Sequence, residues 1–180
     1  DGEIMNSQSP KTWSNWAGNQ TSNPLSIKKP QNEEDVVEIV KEAKKRGLKV
    51  KVVGSGHSFT GIAVTDEVLV SIDAIADIRD VDFGNLTVRV GAGIKLCDLN
   101  PILQRSGLAM PNLGDIVYQS ISGAISTSTH GTGLEFKTIA DAVCGMRIVD
   151  GQGQVVECDK QKNPEIFHAA RVGLGALGII

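Results

Sequence analysis

A short glycine-rich loop after an apolar stretch is the first place in this sequence where residue types and spacing could do chemistry. Residues 52–59 spell V-V-G-S-G-H-S-F. Because glycine carries no side chain, the backbone N–H groups around Gly54 and Gly56 can form a concave surface that binds phosphate oxygens. Pyrophosphate is a natural ligand for such a loop. The alternative is a tight turn that leaves His57 facing solvent.

A second segment, residues 120–133, is rich in hydroxyl groups. Seven of its fourteen residues are serine or threonine, four of them in succession from Ser126 to Thr129. Small residues let the backbone approach a ligand, while hydroxyl groups satisfy the ligand's polar atoms. The segment is therefore either a hydrogen-bonding cradle or a polar connecting loop. Two cradles in one small domain favour a large cofactor that carries a polyphosphate.

Three other patterns do not support a site. Residues 173–178 spell G-x-G-x-x-G, but a predicted helix precedes them and only two isoleucines follow, so the strand and helix of a nicotinamide fingerprint are missing. Residues 56–61 are one residue too long for the G-x-S-x-G elbow of a hydrolase. His57, His130 and His168 are dozens of residues apart and lack metal-ligand spacing, so no metal site is predicted. His168 is interpreted as a structural helix residue.

The elements that must position these segments are mixed helices and strands. Asn32 and Asp35 resemble a capping box, which predicts a helix that begins there and ends at Gly47. Strands are predicted over 48–53, 68–72, 78–82, 86–90, 145–149 and 154–158, and further helices over 94–106 and 163–171. Antiparallel hairpins between helix–strand pairs favour an α+β fold. A turn signal at 111–114 predicts a division into two small lobes near residues 105–120.

Composition narrows the possible partners and compartments. The 180 residues are 41% hydrophobic and 22% charged, with 20 glycines, 4% aromatic residues and a net charge of −3, which argues against a nucleic-acid partner. Cys97, Cys144 and Cys158 lack CxxC spacing, so a reducing, cytoplasmic setting is expected. No apolar run approaches the roughly 20 residues that span a bilayer, so no membrane segment is predicted. The apolar ending at 178–180 indicates an interrupted strand, and we expect the chain to be a fragment.

Five strings, taken in order, resemble a known family. They are W-S-N-W-A at 13–17, the loop that contains His57, G-L-A-M-P-N-L-G at 107–114, S-T-H-G-T-G at 128–133 and A-A-R-V-G-L-G-A-L-G at 169–178. Together they resemble the FAD-binding, PCMH-type domain of the sugar-1,4-lactone oxidases, within the vanillyl-alcohol-oxidase flavoprotein superfamily. The resemblance covers residues 13–180 and follows a polar lead-in over residues 1–12.

The resemblance implies two α+β subdomains with FAD between them and its pyrophosphate on the loop at 54–58. It also implies a covalent bond from His57 to the 8α-methyl carbon of the flavin. The residues that the resemblance and the two segments assign to FAD are Val53, Gly54, Ser55, Gly56, His57, Ser58, Gly114, Asp115, Ser120, Gly123, Thr127, Ser128, Thr129, His130 and Ile180. Family members continue into a substrate-binding domain that this chain lacks, so no catalytic residue is assigned within it.

The implied reaction is hydride transfer from the carbinol carbon of a sugar lactone or polyol to flavin N5, followed by reoxidation by oxygen. Gly114 is the oxygen-access candidate, because the resembling oxidases have glycine there and dehydrogenases have alanine. An alditol oxidase, an FAD-dependent dehydrogenase, a reductase with an NADPH partner and a noncatalytic nucleotide-binding module remain alternatives. We expect no turnover from the isolated chain. We also expect Leu174, Leu177, Ile179 and Ile180 to lose apolar cover in it.

Overall fold

A computed structural model describes residues 12–180 of the chain. The helices are α1 (Glu33–Lys45), α2 (Leu96–Arg105), α3 (Ile121–Ser126) and α4 (Pro164–Ala170), with 3-10 turns at Gly61–Ala63 and Ile139–Ala142. The strands are β1 (Trp13–Ser14), β2 (Thr21–Ser22), β3 (Ser26–Lys28), β4 (Val50–Val53), β5 (Val68–Ser71), β6 (Ile78–Asp82), β7 (Thr87–Val90), β8 (Gly145–Val149) and β9 (Val155–Asp159). The lead-in over residues 1–12 lies outside the described residues apart from Thr12. The α+β class predicted from the sequence is confirmed.

Helix α1 begins where the sequence predicts. The Asn32 side chain accepts a hydrogen bond from the Asp35 N–H at 2.8 Å, which caps the first turn. The Asp35 carboxylate in turn accepts from the N–H of Gln31 at 2.8 Å, one residue before the usual capping-box partner. The apolar face of α1 packs into a core with the parallel sheet. Glu33 anchors the same helix to β8 through Arg147.

A three-stranded parallel sheet in the order β3-β5-β4 delivers the glycine-rich loop. Its central strand, β5, is buried at every position, as expected for a strand that is covered on both faces. Strand β4 ends at Val53, so the loop that starts at Gly54 lies at the carboxyl edge of the sheet. The sequence analysis predicted β4 and β5 but not β3, whose three residues are too few to show a period.

Two antiparallel hairpins confirm the sequence prediction. Strands β6 and β7 pair through a register shift between Ile78 and Asp80, while β8 and β9 pair without interruption. Helix α4 packs on the second hairpin, with Phe167 and Cys158 fully buried between them. Beside this hairpin, Val149 and Ile179 exchange backbone hydrogen bonds of 2.8 and 2.9 Å. Ile179 is therefore covered inside the domain, and the expectation that it loses apolar cover is wrong.

The hydroxyl-rich segment is not the continuous loop that the sequence indicates. Residues 121–126 form α3, because Ile121, Ala124 and Ile125 recur at helical spacing and bury one face against α2. The serines between them hid that period. The apolar cluster that contains α2 and α3 includes residues on both sides of 105–120. The lobe boundary near 105–120 stays a prediction.

Within residues 12–180, no helix combines the length and the apolar character needed to cross a bilayer.

Candidate functional site

The glycine-rich loop, α3 and the C-terminal segment meet around one open cavity. The cavity opens to solvent and has roughly 900 Å³ of space between the protein atoms, part of which is open solvent. Its walls are Val52 to Ser58 at the end of β4, Gln119 to Thr127 around α3, and residues from 174 to 180. The first wall directly follows β4 in the sequence. The other two walls come from segments that are distant in sequence and that packing brings to the cavity.

Most of the residues assigned to FAD line this cavity together. They are Val53, Gly54, Ser55, Gly56, His57, Ser58, Ser120, Gly123, Thr127 and Ile180. The other five assigned residues, Gly114, Asp115, Ser128, Thr129 and His130, are not part of its lining. The cavity is also lined by residues that the sequence analysis did not assign individually to FAD, among them Trp13, Lys51, Gln119, Ser122, Ser126, Leu174, Gly175 and Gly178.

The two loop glycines are needed for different reasons. A Cβ atom on Gly54 would lie 1.9 Å from Ser120 Oγ, so only glycine lets the loop pass this close to the hydroxyl-rich segment. Gly56 has a φ of +67°, a left-handed conformation that glycine adopts without the usual steric cost. The nearest atom to a Cβ on Gly56 would be Trp13 Cζ2 at 3.6 Å, so space is not its constraint.

Three buried polar atoms in the cavity wall have no hydrogen-bond partner within residues 12–180. They are Ser55 Oγ, Ser120 Oγ and Gln119 Oε1. A buried polar atom without a partner is costly, so a ligand with hydrogen-bonding groups fits these three positions. Among residues 12–180, no aspartate or glutamate lines the cavity, whereas Lys51 does. The two hydroxyl groups and Lys51 can donate to an anionic group, whereas Gln119 Oε1 can only accept from an N–H or O–H group. FAD carries both kinds of group, so it fits this lining.

His57 is half-buried in the cavity wall. Burial lowers the pKa of its imidazole, and the positive charge of Lys95 lowers that pKa further. Both effects favour the neutral ring, which is the form that acts as a nucleophile. The indole of Trp16 stacks on this imidazole with ring centroids 5.2 Å apart and an angle of 28° between the planes.

The turn between β1 and β2 holds the His57 loop from outside. The backbone N–H of Trp16 donates to the carbonyl of Gly56 at 2.8 Å. The Asn15 side chain donates to the carbonyl of Ser58 at 2.9 Å, and the Asn19 side chain donates to that of Phe59 at 3.0 Å. These contacts give a structural role to the string W-S-N-W-A. Sequence reasoning had found the string only through the family resemblance.

Gly114 belongs to a second group of assigned residues beside the cavity. A Cβ atom on Gly114 would lie 3.2 Å from the carbonyl oxygen of His130 and 3.4 Å from Thr129 Cγ2. The Gln119 side chain, which lines the cavity, donates to Thr129 Oγ1 at 3.4 Å and so links this group to the cavity wall. Asp115 and His130 are exposed.

The G-x-G-x-x-G segment proves to be part of the cavity wall, although it follows α4 and lacks the strand of a nicotinamide fingerprint. Leu174 has a φ of +53°, which is uncommon for a residue with a side chain. Gly178 has a φ of +138°, and a Cβ atom there would lie 2.3 Å from the carbonyl oxygen of Val149. The motif test missed this wall because the segment packs against distant strands rather than between a local strand and helix.

No three His, Cys, Asp or Glu side chains among residues 12–180 are grouped so that they could hold a metal ion.

The α+β fold and the cavity at the end of β4 define a domain that binds a nucleotide-type cofactor. The family model described as "FAD binding domain" matches residues 24–159, which is more than half of the chain. The chain belongs to this family of FAD-binding domains.

Curated relatives match nearly the whole chain. It is 41% identical over 168 residues to "L-gulono-1,4-lactone dehydrogenase" of Mycobacterium tuberculosis, and this match covers 93% of the chain and 39% of that relative. It is 38% identical over 170 residues to "D-arabinono-1,4-lactone oxidase" of Candida glabrata, covering 92% and 32%. It is 37% identical over 166 residues to "L-gulonolactone oxidase" of Mus musculus, covering 92% and 38%. The chain thus spans 32% to 39% of the length of these relatives.

Proposed function

We propose that this chain is the FAD-binding part of an enzyme that oxidises a CH–OH group of a sugar lactone or a related polyol. The names of the relatives supply the reaction class and the substrate class. The observation that carries the proposal is the cavity wall, in which Ser55 Oγ of the glycine-rich loop and Ser120 Oγ are buried without partners among the described residues. A noncatalytic nucleotide-binding module would explain this cavity but not the relatives.

The residues of the cavity would hold FAD through complementary contacts. The backbone N–H groups around Gly54 and Gly56, which carry no side chain, are proposed to bind the diphosphate. The hydroxyl groups of Ser55, Ser120 and Thr127 and the amide of Gln119 suit the remaining polar atoms. When it is bound, FAD supplies the acceptor for the hydride that leaves the substrate carbon.

We further propose that His57 attaches covalently to the 8α carbon of the flavin. The attachment forms one N–C bond and breaks one N–H bond of His57 and one C–H bond of the 8α-methyl group. The two electrons and two protons so released pass through the flavin ring to oxygen, which becomes hydrogen peroxide. The neutral imidazole that burial and Lys95 favour is the reactive form.

Oxygen is proposed as the electron acceptor in turnover as well. The support is Gly114, which stands where the resembling oxidases have glycine; a Cβ atom there would lie only 3.2 Å from the carbonyl oxygen of His130. A dehydrogenase that uses another acceptor is the second candidate, favoured by the name of the Mycobacterium tuberculosis relative. The relatives include both kinds of enzyme, so their names do not choose between them.

The groups that bind and deprotonate the substrate are proposed to lie in the part of the enzyme that the relatives have beyond this match. These 180 residues alone are then expected to hold FAD without turning over a lactone. The two-subdomain arrangement and the cytoplasmic setting stay predictions. Cys97, Cys144 and Cys158 are free cysteines in the structure.

Anaerobic reduction by substrate tests the proposed reaction. The complete flavin-loaded protein is mixed with L-gulono-1,4-lactone or D-arabinono-1,4-lactone in the absence of oxygen. We expect at least one of them to bleach the yellow colour, and admission of air to restore it with formation of hydrogen peroxide. A flavin that binds and stays oxidised with both lactones and with simple polyols would contradict the proposed activity. Bleaching that air does not reverse would favour the dehydrogenase.

A further inference from the structure

We propose that Trp16 is a positioning residue that fixes the imidazole of His57 in the cavity wall. The inference rests on the proposed covalent attachment and deepens it, because it names the group that sets the geometry of the nucleophile. Neither the family match nor the relatives assign a role to Trp16. Two independent sets of contacts, one from the indole ring and one from the backbone around it, carry the proposal.

The first set is the ring stack itself. Trp16 is 64% exposed, so its indole is not held by burial in a core. Its ring instead lies against His57, with centroids 5.2 Å apart and an interplanar angle of 28°. Offset stacking of this kind is a favoured arrangement of aromatic rings. The exposed indole therefore covers one face of the half-buried imidazole.

The second set fixes the backbone that carries the indole. Asn15 is 5% exposed. Its side-chain N–H groups donate to the carbonyl of Ser58 at 2.9 Å and to Asn19 Oδ1 at 2.7 Å. Its side-chain oxygen accepts from the Gln20 N–H at 3.0 Å, which closes the turn between β1 and β2. The backbone N–H of Trp16 donates to the carbonyl of Gly56 at 2.8 Å, and Gly56 directly precedes His57 in the chain. These hydrogen bonds tie the turn to the histidine loop.

This arrangement matters for attachment because a histidine side chain has several staggered rotamers in general, and only some of them would aim its ring nitrogen at the flavin. A stack on one face of the imidazole restricts those rotamers. A nucleophile that is already held in its reacting orientation reacts faster than one that must find it.

Phe59 provides a matched control within the same cluster. It is also 64% exposed, and its ring meets the indole of Trp16 edge-on with centroids 6.4 Å apart and an angle of 79°. It makes no ring stack with His57 among the described aromatic contacts. Removing the Phe59 ring takes away an aromatic side chain that is as exposed as Trp16, but it leaves the stack of Trp16 on His57 in place.

The test measures attachment of FAD to the complete apoprotein in four forms: the parent, Trp16→Ala, Trp16→Phe and Phe59→Ala. The limiting rate at saturating FAD is separated from the FAD concentration that gives half that rate, with flavin fluorescence on denaturing gels as the readout. We expect Trp16→Ala to lower the limiting rate by about tenfold or more, since orientation is lost. Trp16→Phe restores most of the rate because a ring returns, and Phe59→Ala matches the parent.

A second readout does not depend on attachment. The ring protons of His57, observed in the apoprotein by NMR with labelled histidine, are shifted by the indole ring current. That shift disappears in Trp16→Ala and remains in Phe59→Ala. Unchanged His57 resonances in Trp16→Ala, or attachment by that variant at the parental limiting rate, would overturn the inference. A parent that never attaches flavin but shows the shift contradicts covalent attachment and leaves the positioning role supported.

Discussion

Gly54 and Ser120 lie so close together that a side chain at position 54 would require the Ser120 side chain to move. A Cβ atom on Gly54 would lie 1.9 Å from Ser120 Oγ, and both residues line the cavity. This contact joins the loop after β4 to the segment that begins α3. The two segments that the sequence analysis expects to bind one cofactor therefore line one cavity.

Gly54→Ala is expected to weaken FAD binding by at least about tenfold, or roughly 1.4 kcal/mol, because the added methyl group pushes Ser120 away. Gly54→Ala combined with Ser120→Gly should recover part of the affinity, since the clash is removed. Titration of FAD fluorescence against the apoprotein measures both. Gly151→Ala is the control, because a Cβ atom there meets nothing within 4 Å. Equal affinities for Gly54→Ala and Gly151→Ala would contradict the placement of the diphosphate loop.

Lys95→Gln is expected to raise the pKa of His57, because it removes a positive charge that disfavours the imidazolium. The rate of flavin attachment rises with pH as the imidazole loses its proton, so the midpoint of that rise should move to higher pH. Lys160→Gln, on the turn after β9, serves as the control. An unmoved midpoint in Lys95→Gln would mean that Lys95 does not act on His57.

The lowered pKa of His57 also affects stability. The unfolded chain binds a proton more readily than the native histidine does, so protonation favours unfolding as the pH falls. This contribution to stability is complete above the ordinary pKa of histidine, and it is lost as the pH falls through the native pKa. Urea unfolding across that range should show the loss in the parent apoprotein and not in His57→Gln. A parallel decline in both proteins would assign the effect to other groups.

Gly114→Ala is expected to slow flavin reoxidation by oxygen much more than flavin reduction by substrate. The added methyl group would lie 3.2 Å from the carbonyl oxygen of His130, so it fills space beside the segment that follows α3. Stopped-flow measurement separates the two half-reactions. Equal slowing of both would indicate a general displacement of residues 129–130. No slowing of either would remove Gly114 from the oxygen path.

Glu33→Gln is expected to lower the free energy of unfolding by about 1 kcal/mol, at the upper end for exposed ion pairs because the contact with Arg147 is bidentate. Both of its N–O distances are 2.7 Å, and Arg147 holds the pKa of Glu33 below its usual value. The contribution is therefore present above the ordinary carboxyl pKa and lost as the pH falls through the native one. Glu42→Gln, which removes a single 3.5 Å contact with Arg46, should cost less in urea unfolding.

The parts of the fold that the sequence predicted are those fixed by neighbours in the chain. The Asn32 cap, the two hairpins and the short helix after Asn163 each depend on a few consecutive residues. Strand β3 and helix α3 were missed because tertiary pairing and burial decide them. The serines of α3 favour a loop by composition, yet Ile121 and Ile125 bury the helix against α2.

The candidate site likewise has one part that the sequence predicts and another part that depends on tertiary packing. The prediction that the loop at 54–58 binds phosphate follows from two glycines after an apolar stretch. The contributions of Trp16, Gln119 and Leu174 do not, because each reaches the cavity or its loop from a segment that is distant in sequence. Their residue types carry no local signal, and only the packing of those segments brings them to the cavity.

The absorbance spectrum of the complete protein before and after acid precipitation tests the central claim most directly. The apoprotein is incubated with FAD in air and desalted before the measurement. The account predicts a yellow protein with about one flavin per chain, and a precipitate that stays yellow in the parent but is colourless in His57→Ala. A yellow parent that releases all its flavin into the acid supernatant would contradict the covalent bond alone. A parent that leaves the desalting column colourless would contradict the assignment of the cavity to FAD.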